Sequence, residues 1–163
     1  MSLRAPFAAN RLGTALILGL LPCGQAEAQR VRIDHLADYS FGMLASTASD
    51  VRQSRNVCIS TTGLGGYNIR ASGNGAGNLF TLAGAGTPMA YEVQWNATAG
   101  QQTGTALVSG QTLGGLTTAA LGLNLNCVLS DTASLIIVLR AAELSRATAG
   151  AYAGTLTLVI APE

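Results

Sequence analysis

Met89-Ala90-Tyr91-Glu92-Val93-Gln94-Trp95-Asn96 puts Tyr91, Val93 and Trp95 on one side of an extended chain and Glu92, Gln94 and Asn96 on the other. Side chains of a β-strand alternate with a period of two. The stretch therefore reads as a strand with one face in a core and the other toward polar surroundings. A helix would scatter the same residues around its circumference. Trp95, the only tryptophan, reads as a core anchor on the apolar face.

The same alternation recurs on both sides of this strand. Residues 67–71 place Tyr67, Ile69 and Ala71 together, 123–129 place Leu125, Cys127 and Leu129 together, and 154–160 do so with Leu156, Leu158 and Ile160. Residues 134–139 are apolar on both faces, as a central strand between two layers would be. Shorter strands are expected at 31–36, 39–44, 56–61, 79–82 and 106–109. Glycine clusters at 63–66 and 73–77 mark turns. Residues 96–120, rich in Gly, Thr and Gln, read as a long loop holding a weak edge strand. Residues 141–146 have room for one helical turn. Many short strands joined by turns, with no convincing helix, define an all-β domain.

The N-terminus reads as a leader. Arg4 and Arg11 precede the apolar run 12–21, which is too short to span a bilayer. Pro22 and Gly24 end it, and Ala26 and Ala28 supply the small residues of a cleavage site before Gln29. Residues 1–28 are thus expected to be a signal peptide and 29–163 the mature domain. A lipid anchor on Cys23 is disfavoured by Pro22, which stands where a small residue is needed. No apolar run after residue 28 is long enough to span a membrane as a helix. Seven arginines oppose seven acids there, and lysine is absent altogether. Without a basic excess, a phosphate-binding surface for nucleic acid is not expected. The two remaining cysteines, Cys58 and Cys127, most simply pair with each other in an oxidising compartment.

Residues that could suggest chemistry have plainer readings. Gly73-Asn74-Gly75-Ala76-Gly77 is followed by Leu79-Phe80-Thr81-Leu82, a strand pattern. A nucleotide-binding loop needs a helix there, so a hairpin turn is expected. His35, the only histidine, lies near Asp34 and Asp38, with no nucleophile-elbow sequence and no ligand spacing for a metal. The acids are dispersed, with no pair poised for acid–base work. Asn96-Ala97-Thr98 matches a glycosylation acceptor by pattern only. The chain reads as non-enzymatic, with no catalytic residues, metal or cofactor expected.

Several motifs occur in an informative order. They are Ser40-Phe41-Gly42, Asn56-Val57-Cys58, Tyr67-Asn68-Ile69 with its glycine cluster, and Ala90-Tyr91-Glu92-Val93-Gln94-Trp95. The closing segment carries Ala149-Gly150, Tyr152 and Gly154-Thr155-Leu156-Thr157-Leu158. Together they resemble the spore coat protein U-like domain, a family that includes subunits of archaic chaperone–usher pili. The resemblance covers nearly all of 29–163. It implies an immunoglobulin-like, pilin-type β-sandwich lacking its final strand. It also implies a disulfide between Cys58 and Cys127, and an acceptor groove lined partly by Leu156, Leu158 and Ile160. A periplasmic chaperone and then a neighbouring subunit would fill that groove by strand addition. The donor segment would be the mature N-terminus, with Val31, Ile33 and Leu36 as plugs. Only about a dozen residues precede Ser40 after the cleavage point, and Arg30, Arg32 and Asp34 interrupt them. The extension is therefore either minimal or not donated, as at a fibre tip.

The expected function is a structural or adhesive subunit of a surface fibre, exported through the periplasm. It would be assembled by an outer-membrane usher and support attachment or biofilm formation. The alternative is a free-standing secreted or periplasmic module that recognises a surface glycan, with Trp95, Tyr91 and Tyr67 as sugar platforms.

Overall fold

The computed structural model describes residues 29–62, 66–118, 127 and 130–163. The expected signal peptide lies outside them, as does the strand at 123–129 apart from Cys127. Eleven strands, among the described residues, run in chain order: β1 Val31–Asp34, β2 Val51–Thr61, β3 Tyr67–Gly73, β4 Thr81–Gly84, β5 Met89–Ala90 and β6 Glu92–Asn96. They continue with β7 Thr105–Ala106, β8 Thr112–Leu116, β9 Ala133–Leu139, β10 Tyr152–Ala153 and β11 Leu156–Pro162. Two short helices occur among the described residues: a 3-10 turn at Ala76–Asn78, where β3 and β4 pass to different sheets instead of forming the expected hairpin, and α1 Ala141–Leu144 after β9. The protein is an all-β sandwich. One sheet has the order β1-β2-β9-β6-β7, a second β11-β3-β8, and a small third β10-β4-β5; all pairings are antiparallel.

The core lies between the first two sheets. Val57 and Ile59 of β2, Val93 and Trp95 of β6, and Leu135, Ile137 and Leu139 of β9 meet Tyr67, Ile69 and Ala71 of β3. Trp95 is 1% exposed and Tyr67 is fully buried. Their rings meet edge to face at 6.4 Å, and Trp95 Nε1 donates a hydrogen bond to the Tyr67 hydroxyl at 3.1 Å. Each ring thereby satisfies the polar atom of the other in a place water does not reach.

Residues 89–96 are extended throughout, but they change sheet midway. Met89 and Ala90 pair with β4, whereas Glu92–Asn96 pair with β9. At the change the Tyr91 amide donates to the Phe80 carbonyl at 3.0 Å. The alternation survives because the backbone stays extended through the switch.

β9 is buried on both faces, as its sequence predicts. Its outer face is sheltered by residues 97–104, which fold back over the sheet instead of forming a free loop. Ser134 Oγ donates to the Thr98 carbonyl, and the Gln101 amide donates to Ser134 Oγ. The Gly100 amide donates to Asn56 Oδ1, and Arg52 donates to the Gln102 carbonyl. Polar residues on the outer face thus bind a loop to it, the face on which Ile136 and Val138 are fully buried.

The strand expected at 39–44 does not form a ladder. Tyr39, Phe41 and Leu44 pack against the core, but Gly42 has φ +64°. That left-handed conformation interrupts the extended backbone a ladder requires.

Candidate functional site

β11 carries the acceptor residues that the sequence resemblance implies. Its register with β3 is continuous from Leu156↔Gly73 to Pro162↔Tyr67. Among the described residues it has no hydrogen-bonded neighbour on its other edge. Leu156, Leu158 and Ile160 point inward and pack against the core, yet each is only half-buried, whereas Ile69 and Ala71 opposite are fully buried. Thr157 and Val159 point outward, and Val159 is 57% exposed. An apolar inner row beside an open ladder edge is a template for another strand. Pro162 stands at the strand's end, where a missing amide costs least.

The donor candidates lie beside this edge. β1 pairs with β2, matching Val31 to Thr61 and Ile33 to Ile59. The strand is fastened by Arg30 amide to Thr62 Oγ1 at 2.8 Å and by Thr62 amide to the Arg30 carbonyl at 2.9 Å. Val31 and Ile33 are half-buried against the chain's own core, while Leu36 lies past the strand end and is 52% exposed. The two structured candidates are therefore edge residues of the chain's own first sheet.

Cys58 and Cys127 form a disulfide across 69 residues of sequence, with Cα atoms 5.7 Å apart. It ties the end of β2 to the segment that leads into β9. The Thr132 side chain adds a second tie, accepting from the Ile59 amide and donating to the Ile59 carbonyl.

The aromatics that a glycan-binding reading needs are buried. Trp95, Tyr67 and Tyr91 are 1%, 0% and 7% exposed. They are core residues, because the apolar faces of the 67–71 and 89–96 stretches are the inner ones. His35 is exposed and contacts Asp131, Nδ1 to Oδ1 at 2.7 Å. Among the described residues no group of three His, Cys, Asp or Glu could hold a metal ion.

Sequence reading missed one polar cluster altogether. Arg140 reaches Asp50 at 2.6 Å and Glu92 at 2.5 Å. Asp50 also accepts the Ala141 amide at 2.9 Å, capping the first turn of α1. The three residues come from distant regions of the chain, so no local motif announces them. The Ala141 amide and then Arg140 hold the Asp50 carboxyl below the usual range; Arg140 does the same for Glu92. Carboxylates that bind protons less readily when folded stabilise the fold above their ordinary pKa. That stabilisation is lost as the pH falls through the lowered values. Arg140→Gln is therefore expected to flatten the fall in stability below about pH 4. Urea midpoints measured across this range check it; an unchanged acid slope would remove the cluster's role.

No protein-family profile and no curated protein matches the chain. Among solved structures it is similar to a chain of a chaperone–tip adhesin complex described as vital for synergistic activation of CFA/I fimbriae biogenesis. The TM-score is 0.57 and the identity 18%, covering 82% of this chain and 42% of that one. The likeness is one of fold, and the chain spans less than half the length of its counterpart.

Proposed function

We propose that this protein is a non-enzymatic structural or adhesive subunit of a secreted surface fibre, of the spore coat protein U-like kind, completed by a strand from a partner. The observation that carries the reading is β11. It is laddered on one side only among the described residues, with Leu156, Leu158 and Ile160 half-buried beside the open edge. A partner strand would gain main-chain hydrogen bonds to β11 and bury its alternate apolar side chains against this row. The partners are a periplasmic chaperone in transit, an outer-membrane usher, and neighbouring subunits at the cell surface. The disulfide fits that route, since it needs an oxidising compartment. The fimbrial neighbour in fold supports the same class. Nothing favours the glycan-binding alternative once its aromatics are in the core.

The test is strand capture by the purified, disulfide-bonded protein. A lysine-flanked decapeptide of alternating valine and threonine is expected to raise the thermal midpoint. At a hundredfold excess over its Kd, binding stabilises by about 2.7 kcal/mol, on the order of 10 °C for a domain of this size. Leu158→Asp places a charge in the inner row and is expected to abolish the shift. An unresponsive wild-type midpoint would defeat the proposal.

A further inference from the structure

β2 has an unusual inner row. By register, Gln53 lies opposite Ile137 and Arg55 opposite Leu135, so both stand on the core-facing side that Val57 and Ile59 continue. Polar residues there need a reason. On the edge that β1 takes, only Cys58–Thr61 of β2 are laddered, which leaves the first half of that edge without a strand among the described residues.

Residues 39–44 cover this half. Tyr39 Oη donates to the Leu135 carbonyl at 2.6 Å, Gln53 Nε2 donates to the Ser40 carbonyl at 2.7 Å, and the Arg55 guanidinium lies 5.4 Å from the Tyr39 ring centre. Tyr39, Phe41 and Leu44 supply the apolar cover. Between residues 36 and 49 no main-chain group pairs with the main chain of another element, among the described residues. Among the described residues the segment is held through side chains alone. The hold is also incomplete, because Gln53 Oε1 is buried beneath it with no partner. A buried unpartnered acceptor is rare in a settled interface.

β1 sits against both β2 and β11, so the half-open edge of β2 and the open edge of β11 flank one side of the sandwich. We infer that residues 39–44 form a displaceable strap, closed over the core of the free protein and released when a partner strand enters along β11. The inference rests on the subunit reading above and adds how its groove is guarded. The incoming strand takes over the apolar cover, and its main-chain amides offer Gln53 Oε1 the donor it lacks. Side-chain anchors suit this task, since they can let go singly, whereas a ladder separates only as a unit.

Single cysteines at Phe41 and Leu44 test the strap, with Ser40→Cys as an exposed control. Capture of the lysine-flanked valine–threonine peptide is read independently, as hydrogen-exchange protection gained at residues 156–162. The strap is expected to label with a thiol reagent at least tenfold faster at positions 41 and 44 in the complex than in the free protein. Tyr39→Phe, which lacks one anchor, is expected to capture the peptide several-fold faster. Should either cysteine variant misfold, the fluorine resonance of fluorinated Tyr39 in the otherwise unsubstituted protein reports the same release by moving to a solvent-exposed position. Capture with labelling and resonance unchanged overturns the strap and leaves the subunit reading standing. No gain of protection in β11 overturns the subunit reading, and the strap with it.

Discussion

Trp95→Ala is expected to cost on the order of 3–5 kcal/mol of folding stability, the range for emptying a large aromatic site. Two effects add. The indole leaves a cavity between β6 and β3 that the surrounding strands cannot close, because the ladders on both sides fix their spacing. The Tyr67 hydroxyl also loses the Nε1 donor while remaining fully buried. An unpaired buried group adds about 1–3 kcal/mol by itself. Trp95→Phe keeps much of the volume and loses only the donor, so it is expected to fall between the two. Urea unfolding followed by far-ultraviolet circular dichroism measures both, since the only tryptophan signal is lost. A cost below about 1 kcal/mol for the alanine variant would mean that Trp95 is not the anchor of this core.

Replacing both Cys58 and Cys127 with serine is expected to cost about 4 kcal/mol, the chain-entropy value for a loop of this length. The double replacement is the informative one, because a lone buried thiol could form mixed disulfides. Cys58 is fully buried and Cys127 is 4% exposed, so serine adds the burden of two sheltered hydroxyls. Loss of either the disulfide or Trp95 would remove a large share of the roughly 5–15 kcal/mol typical of a domain. Their combination is expected to leave no folded protein at 37 °C. Denaturation midpoints of the single-site and combined variants decide this; a disulfide-free protein as stable as the parent would show that the bridge only records the compartment.

The subunit reading ties these figures to assembly. On that reading, a sandwich whose β11 row awaits a partner strand has less core to lose than a completed one. Trp95 and the disulfide would then carry a larger share before a partner strand is added.

Legibility followed the range of the interactions. The inner rows of β3, β6 and β11 are evident in the sequence because alternation is a local property, repeated every second residue whatever the surroundings; β9, apolar on both faces, shows only that it is central. The change of sheet at Tyr91 is not evident, because an extended backbone looks the same on either side of it. Residues 39–44 carry a strand-like pattern, but a ladder needs a partner edge and a backbone that stays extended, and Gly42 denies the second. The sequence predicts a long loop at 96–120 with one weak edge strand at 106–109, but β7 and β8 fall inside it; the folding of 97–104 over β9 depends on Ser134 and Asn56, which the sequence places far away.

The candidate site divides in the same way. Leu156, Leu158 and Ile160 are identifiable as one face of a strand, and Val31 and Ile33 as an alternating segment. The pairing of that segment with β2, and the open edge it leaves along β11, belong to the tertiary structure. So do the strap over Gln53 and Arg55 and the Arg140 cluster. By itself the sequence determined that the chain is all-β, which faces are apolar, and that two cysteines stand ready to pair. Only the tertiary structure decided which edges are closed and which remain open. Alternation fixes the face a side chain takes, whereas an edge is defined by what lies beside it.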